Sequence, residues 1–364
     1  MSKVKHTLRN MYYMILRIGF FCKQIYLQAK LAFQKNPYYA PIFPVAFDDW
    51  ESAAIKTYAG KCNALSMVSV ICESLLHNQY KVVSLCNLSN SSSDQNLVSL
   101  RHDIDAHPPT AVKMGKIYSA HCVPASFYFL HSAKYYIKQS GGKIYRNPML
   151  EDWIGQISLF GCEIGLHNDC LAMANKLKTN SRDILSVELG FLRQMGIEIN
   201  GTVAHNGFQT HYAESFEVFN ELQTFRSDFY TDQQKEKLLK VRSKYQISTA
   251  SMKEFGLKYE GNYPSPPRFR SSKDLDLFLF SPDKNEHIQN RNWMQQYLNL
   301  NPSFDRTYGA DIWVLGKNKW VISDRTINFY KHGCQINDVI TYLERSIKAD
   351  KLVITLHPEY FIGN

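Results

Sequence analysis

The chain has 364 residues, 45% of them hydrophobic, which is enough for a sizeable core and excludes an intrinsically disordered protein. Its net charge is +9, yet residues 1–47 hold seven Lys/Arg (Lys3, Lys5, Arg9, Arg17, Lys23, Lys30, Lys35) and no acid. Without those seven, 35 basic residues face 33 acidic ones, so the body lacks the basic balance that a nucleic-acid partner requires.

Met11–Phe21 is apolar but broken by Arg17, and it is too short for a transmembrane helix. No small-residue cleavage site follows it, which argues against a secretory signal. Met14, Ile18, Phe21, Ile25, Ala29 and Ala32 recur at helical spacing, with Lys23, Gln24, Lys30 and Gln34 off that stripe. Residues 1–36 therefore read as a basic amphipathic helix, suited either to an anionic bilayer surface or to the protein's own body. Pro37–Pro44 cannot continue it. Residues 37–96 read as a linker and helical segment packing on the domain that begins at residue 97, with a strand over Lys81–Leu88 and a Ser/Asn loop over Ser89–Asn96. The eight cysteines include no C-x-x-C pair and are spaced irregularly, so they read as reduced, mostly buried thiols of a cytoplasmic chain and not as a zinc ribbon.

From Leu97 strands and helices alternate. Leu97–Arg101 is a short buried strand, and Pro108-Pro109 opens a helix with Ala111, Met114 and Tyr118 on one face. Ala125–Leu130 is the next strand, residues 148–159 a helix and Cys162–Leu166 a strand. Asn180-Ser181 caps a helix with Leu185, Leu189 and Leu192 buried. Thr202–Ala204 is a strand, followed by a helix from about Glu214. Further strands are predicted at Leu275–Phe280, Ile312–Leu315, Trp320–Ile322 and Leu352–Leu356, with a helix over Gln335–Lys348. This alternation implies a parallel sheet with helices outside, and in such folds sites form at the C-terminal ends of strands.

Four strands end in ionisable residues: His102-Asp103-Ile104-Asp105, His167-Asn168-Asp169, His205-Asn206 and His357-Pro358-Glu359. On an extended chain alternate side chains share a face, so Asp103 and Asp105 point the same way. One can bind a divalent metal while the other takes a proton from water, and a histidine opposite can protonate a leaving amine. The competing reading makes the two aspartates turn or cap residues ahead of the helix at Pro108. His102 points to the opposite side, where a core role competes with a functional one, and His107 reads as a loop residue.

Leu100-Arg-His-Asp-Ile-Asp-Ala-His-Pro108, Glu163-Ile-Gly-Leu-His167 and Leu356-His357-Pro358 together resemble the three ordered motifs of the polysaccharide deacetylase (NodB-homology) family. The resemblance covers about residues 97–360. It implies an α/β fold, a distorted incomplete (β/α)7 barrel of the NodB-homology type, here with an N-terminal helical extension. It implies Asp103 as catalytic base, Asp105 and His167 as metal ligands, and His357 as catalytic acid. Family members carry a second metal histidine four residues after the first; here that position is Leu171. His205, ending the neighbouring strand, is the first substitute as third ligand, then Asp169, then Cys170. The family's Arg-Pro motif is replaced by Val203-Ala-His-Asn-Gly-Phe208.

The expected organisation is a leader over 1–36, a helical and linker segment over 37–96 and a catalytic domain over 97–364. The expected activity is metal-dependent hydrolysis of an N- or O-acetyl group on a carbohydrate in surface-polysaccharide biosynthesis. The metal is zinc first, with cobalt, nickel or manganese as alternatives. Asp324 and Arg325, after the strand at Trp320, could bind sugar hydroxyls or form an ordinary surface ion pair. The alternative is a non-catalytic carbohydrate-binding or scaffold protein that has lost part of the metal triad. The location expected is cytoplasmic, with peripheral contact through residues 1–36 to the inner face of an anionic membrane.

Overall fold

A computed structural model describes residues 47, 49–58, 63–91, 96–140, 143–205, 215–223, 232–244, 247–261, 311–316, 319–323 and 351–362. The expected leader, the strand at 275–280, the helix at 335–348 and the pair Asp324 and Arg325 lie outside the described residues. Among the described residues no helix is long and apolar enough to cross a membrane. The described cysteines Cys72, Cys86, Cys122, Cys162 and Cys170 are free thiols, and only Cys122 is exposed.

Helices α1 (Trp50–Tyr58) and α2 (Met67–His77) precede strand β1 (Lys81–Val82), which pairs in parallel with the start of β2 (Leu97–Ile104). The strand expected over Lys81–Leu88 stops at Val82, and a short helix, α3 (Leu85–Asn90), takes its place. The cause is local. Ser84 caps the helix by accepting from the Asn87 N–H at 3.3 Å. The Leu85 and Cys86 N–H groups donate to Ser126 Oγ (2.9 Å) and to the Glu163 carboxylate (3.1 Å). The first N–H groups of a helix find no partner inside it, so a hydroxyl and a carboxylate waiting in the core turn an apolar run into a helix.

Helix α4 (Pro108–Ala120) leads to β3 (Ser126–Leu130). Strands β4 (Ile137–Ser140) and β5 (Lys143–Arg146), which the sequence pattern does not signal, pair antiparallel as a separate hairpin. Then come α5 (Leu150–Leu159), β6 (Glu163–Asn168), α6 (Cys170–Leu177), α7 (Ser181–Gln194) and β7 (Gly201–Ala204). Leu185, Leu189 and Leu192 of α7 are buried, and Asn180 caps it through Oδ1, as the pattern predicts. The helix expected from about Glu214 is two short 3-10 turns, Ser215–Val218 and Asn220–Leu222. Phe219 between them is extended and bridges Ala250, which breaks the helical ladder. Helix α8 (Asp232–Lys244), β8 (Tyr259–Glu260), β9 (Asp311–Gly316), β10 (Lys319–Ser323) and β11 (Lys351–Leu356) complete the described elements.

The main sheet runs β8-β7-β6-β3-β2-β11-β10-β9. Every neighbouring pair is parallel except β10 with β9. The sheet is curled into a half-barrel. Its curl follows from bonds that skip strands. Arg101 on β2 donates to the carbonyl of Gly261, just past β8, at 2.9 Å. Four strand spacings separate them in sheet order, about 19 Å if the sheet were flat, so a direct hydrogen bond requires the sheet to close toward itself. Tyr128 on β3 and Tyr259 on β8 likewise share a hydroxyl hydrogen bond of 2.5 Å across the concavity.

Alternation along β2 divides its residues between two faces. Leu97, Ser99, Arg101 and Asp103 face the concave side; Val98, Leu100, His102 and Ile104 face the helices. The base of the concavity is apolar, with Leu97, Val203 and Val353 packed against Leu85 and Leu88 of α3 and the rings of Tyr128 and Tyr259. Those two rings explain the glycines beside them. A Cβ on Gly165 would sit 2.3 Å from the Tyr128 ring, and one on Gly201 would sit 2.2 Å from the Tyr259 ring. The glycine of the Glu163-Ile-Gly-Leu-His167 motif is thus a space requirement of the half-barrel core, and it sits two residues below His167 on the same face.

Candidate metal centre

Above this apolar base the same face turns polar. Arg101, Asp103 and Asp105 stand on alternate positions of β2 and its C-terminal end. His167 projects from the end of β6, His205 follows β7 and His357 follows β11. Register brings these ends level, since His167 lies opposite both Leu130 and Val203.

His167 Nε2 lies 3.3 Å from Asp105 Oδ1 and 3.8 Å from Asp103 Oδ2. His205 Nε2 lies 3.8 Å from Asp105 Oδ2, and His357 Nε2 lies 4.0 Å from the same oxygen. Asp105, His167 and His205 each offer one ligand atom, and those atoms lie within 4.8 Å of one another. The rings of His167 and His205 stand nearly perpendicular, 5.0 Å between centroids. The His167 side chain is 3% exposed, whereas those of Asp105 and His205 are 27% and 28% exposed. The donor group therefore opens on one side, as a centre that must admit a substrate requires.

The donor chemistry fits a cation. His167 Nδ1 donates to the Val203 carbonyl at 2.8 Å, which leaves Nε2 as a bare lone pair in the neutral ring. That lone pair faces two carboxylates, so the arrangement is favourable only with a proton on His167 or a cation between them. Burial opposes the charged form of His167, but Asp103 and then Asp105 outweigh it and raise its pKa. His205 Nδ1 is buried and makes no hydrogen bond, an arrangement that costs about 1–3 kcal/mol when nothing else satisfies it.

Asp103 is held differently. Arg101 Nε donates to Asp103 Oδ1 at 2.8 Å and its Nη2 donates to Oδ2, a two-pronged ion pair between buried side chains. Burial pushes the Asp103 carboxyl up, yet Arg101, then His167, bring it down to about 2. Asp105 is also lowered, with burial again opposed by its histidine neighbours. Arg101 is a site residue that the sequence pattern alone did not single out. Its signal lies in the R-x-D-x-D alternation, which puts all three side chains on one face.

Two other predicted positions are structural. His102 stacks on Phe127 at 4.3 Å between centroids, and its ring nitrogens meet the Ser126 carbonyl (3.2 Å) and the Tyr118 hydroxyl (2.8 Å). It is a fully satisfied core histidine. His107 is not a free loop residue: it caps α4, its Nδ1 accepting from the Thr110 N–H at 3.3 Å. Leu171 lies buried in the first turn of α6 and offers no ligand atom. Cys170 is buried and its thiol is raised by burial, and its Sγ turns to the Ser215 carbonyl at 3.7 Å. Neither joins the donor group.

Comparison with family models, with curated proteins and with solved structures finds no match to this chain. The site therefore rests on its own geometry.

His102 carries a prediction. Burial holds its pKa down at about 3, while the unfolded chain protonates it near 6.5. Its contribution to stability is complete above about pH 6.5 and is lost as pH falls toward 3. At pH 5 the loss is about 2 kcal/mol. Urea unfolding at pH 7 and pH 5 should show this drop in the wild type and a flatter dependence in His102→Gln; equal slopes for both would refute it.

Proposed function

We propose that this protein is a metal-dependent hydrolase that removes an N- or O-acetyl group from a carbohydrate, in surface-polysaccharide biosynthesis on the cytoplasmic side of the membrane. The observation that carries the reading is the meeting of Asp103, Asp105, His167, His205 and His357 at one strand-end rim of the half-barrel. The resemblance of their three motifs to polysaccharide deacetylases supplies the reaction class.

Asp105, His167 and His205 would hold the metal, zinc being the first choice for a mixed nitrogen and oxygen donor set. A metal so held polarises an acyl carbonyl and makes water more acidic. Asp103 is the general base: Arg101 keeps it ionised and fixes its plane, so it meets the attacking water in one orientation. His357, across Asp105 from His167, donates the proton that lets the sugar nitrogen or oxygen leave. Residues 1–36 supply peripheral attachment to an anionic membrane.

The test uses the full chain loaded with zinc and measures acetate release from N-acetylglucosamine oligomers and from O-acetylated xylo-oligosaccharides. Wild type should release acetate from one of the two. Asp103→Asn should slow release by about 10²–10⁴-fold at unchanged zinc content. Leu171, which cannot ligate, favours a second reading, a carbohydrate-binding protein that kept the barrel. Zinc-loaded protein that binds these oligomers and releases no acetate would establish that reading instead.

A further inference from the structure

His205 has an unexplained partner. Its Nε2 side faces Asp105, and its Nδ1 lies 3.8 Å from Asp169 Oδ2. His205 Nδ1 is buried and hydrogen-bonded to nothing. Asp169 stands at the N-cap position of α6, where an aspartate ordinarily accepts from the helix's first N–H groups. It does not do so here. The Cys170 N–H goes instead to Asn168 Oδ1 at 3.0 Å, so the Asp169 carboxylate is left for another role.

Its surroundings fix it in place. Ser132, just past β3, donates from Oγ to Asp169 Oδ2 at 2.6 Å. The Asp169 N–H donates to His131 Nε2 at 2.8 Å. The His205 N–H donates to the Asn168 carbonyl at 2.8 Å, tying the residue after β7 to the end of β6, next to Asp169. With its backbone tied to His131 and its carboxylate held by Ser132, Asp169 thus faces the ring nitrogen of His205 that points away from Asp105.

We infer that Asp169 is a positioning residue: when the metal is held, the two groups close from their 3.8 Å separation, Asp169 accepts the Nδ1–H of His205, and this fixes the tautomer whose Nε2 lone pair turns toward the metal, with Ser132 steadying the carboxylate. The inference rests on the metal-site reading above. It assigns Asp169 a place behind the ligand and not among the ligands, where it stood as second substitute for the missing histidine. His167 is oriented in the corresponding way by the Val203 carbonyl, so the two histidines would be held by two different acceptors. Partners of this kind are worth about 10–100-fold in metal affinity.

Zinc affinity of the full chain, measured by competition with a chromophoric chelator, tests it. Asp169→Asn should weaken zinc binding about tenfold or more at near-wild-type melting temperature, and Ser132→Ala should weaken it by a smaller factor. His205→Ala should weaken it more than either. Nitrogen-15 spectra of the zinc-loaded wild type should show His205 bound through Nε2 with Nδ1 protonated, a readout that needs no variant. Affinity within twofold of wild type in Asp169→Asn, or His205 bound through Nδ1, would overturn the role of Asp169 while leaving the metal site standing. A larger loss in Asp169→Asn than in His205→Ala would make Asp169 the ligand instead. Wild type that takes up no zinc would overturn the metal-site reading itself.

Discussion

Arg101→Met is expected to destabilise the metal-free protein by about 3–5 kcal/mol, because it takes the two-pronged partner away from the buried Asp103 carboxylate. Both side chains are almost wholly buried, and Arg101 also donates to the Gly261 carbonyl across the concavity. Removing it breaks the ion pair and one of the bonds that close the half-barrel. The double variant Arg101→Met with Asp103→Leu should recover much of the loss, since a buried pair replaced on both sides by apolar groups is often close to neutral. Urea unfolding of the two singles and the double forms a cycle that isolates the pair. A loss below about 1 kcal/mol in Arg101→Met would show that the ion pair is dispensable to the fold.

A second large effect is expected at the ligands, and its pattern matters more than its size. Partners that orient a ligand from behind are worth about 10–100-fold in metal affinity, so Asp105→Ala and His167→Ala, which remove donor atoms outright, should cost more than about 100-fold. Asp103→Asn should cost far less, because Asp103 is not among the grouped donor atoms and its carboxylate is already paired with Arg101, which leaves its remaining lone pairs for a water. Chelator competition on the three variants reads this order directly. Equal losses in Asp103→Asn and Asp105→Ala would mean that the two aspartates do not divide the work as base and ligand.

The strand ends were legible because strand geometry is local. A buried apolar run followed by an ionisable residue recurs four times, and the parallel sheet brings all four ends to one rim. The side on which His102 lies also followed from alternation alone, and the structure puts it between Phe127 and Tyr118. What failed depended on partners distant in sequence. The run at Lys81–Leu88 has a strand's composition, and only Ser126 and Glu163, far along the chain, make it a helix. The helix expected from about Glu214 is interrupted by a bridge between Phe219 and Ala250. Arg101 is not legible from the sequence, because a lone arginine inside an apolar strand gives no periodic signal. Its role depends on Asp103 beside it and Gly261 across the sheet. His131 and Ser132 were hidden likewise, since their meaning depends on Asp169 being free of helix capping.

Asp105, His167 and His205 form the donor group at the open rim of the half-barrel, and the proposed chemistry depends on their holding a metal ion. The zinc content of purified full-length protein, after exposure to zinc and removal of excess, tests this most directly. Close to one zinc per wild-type chain is expected, and close to none in Asp105→Ala and His167→Ala. Wild-type stoichiometry retained in both variants, or no zinc, cobalt, nickel or manganese held by the wild type, would contradict it.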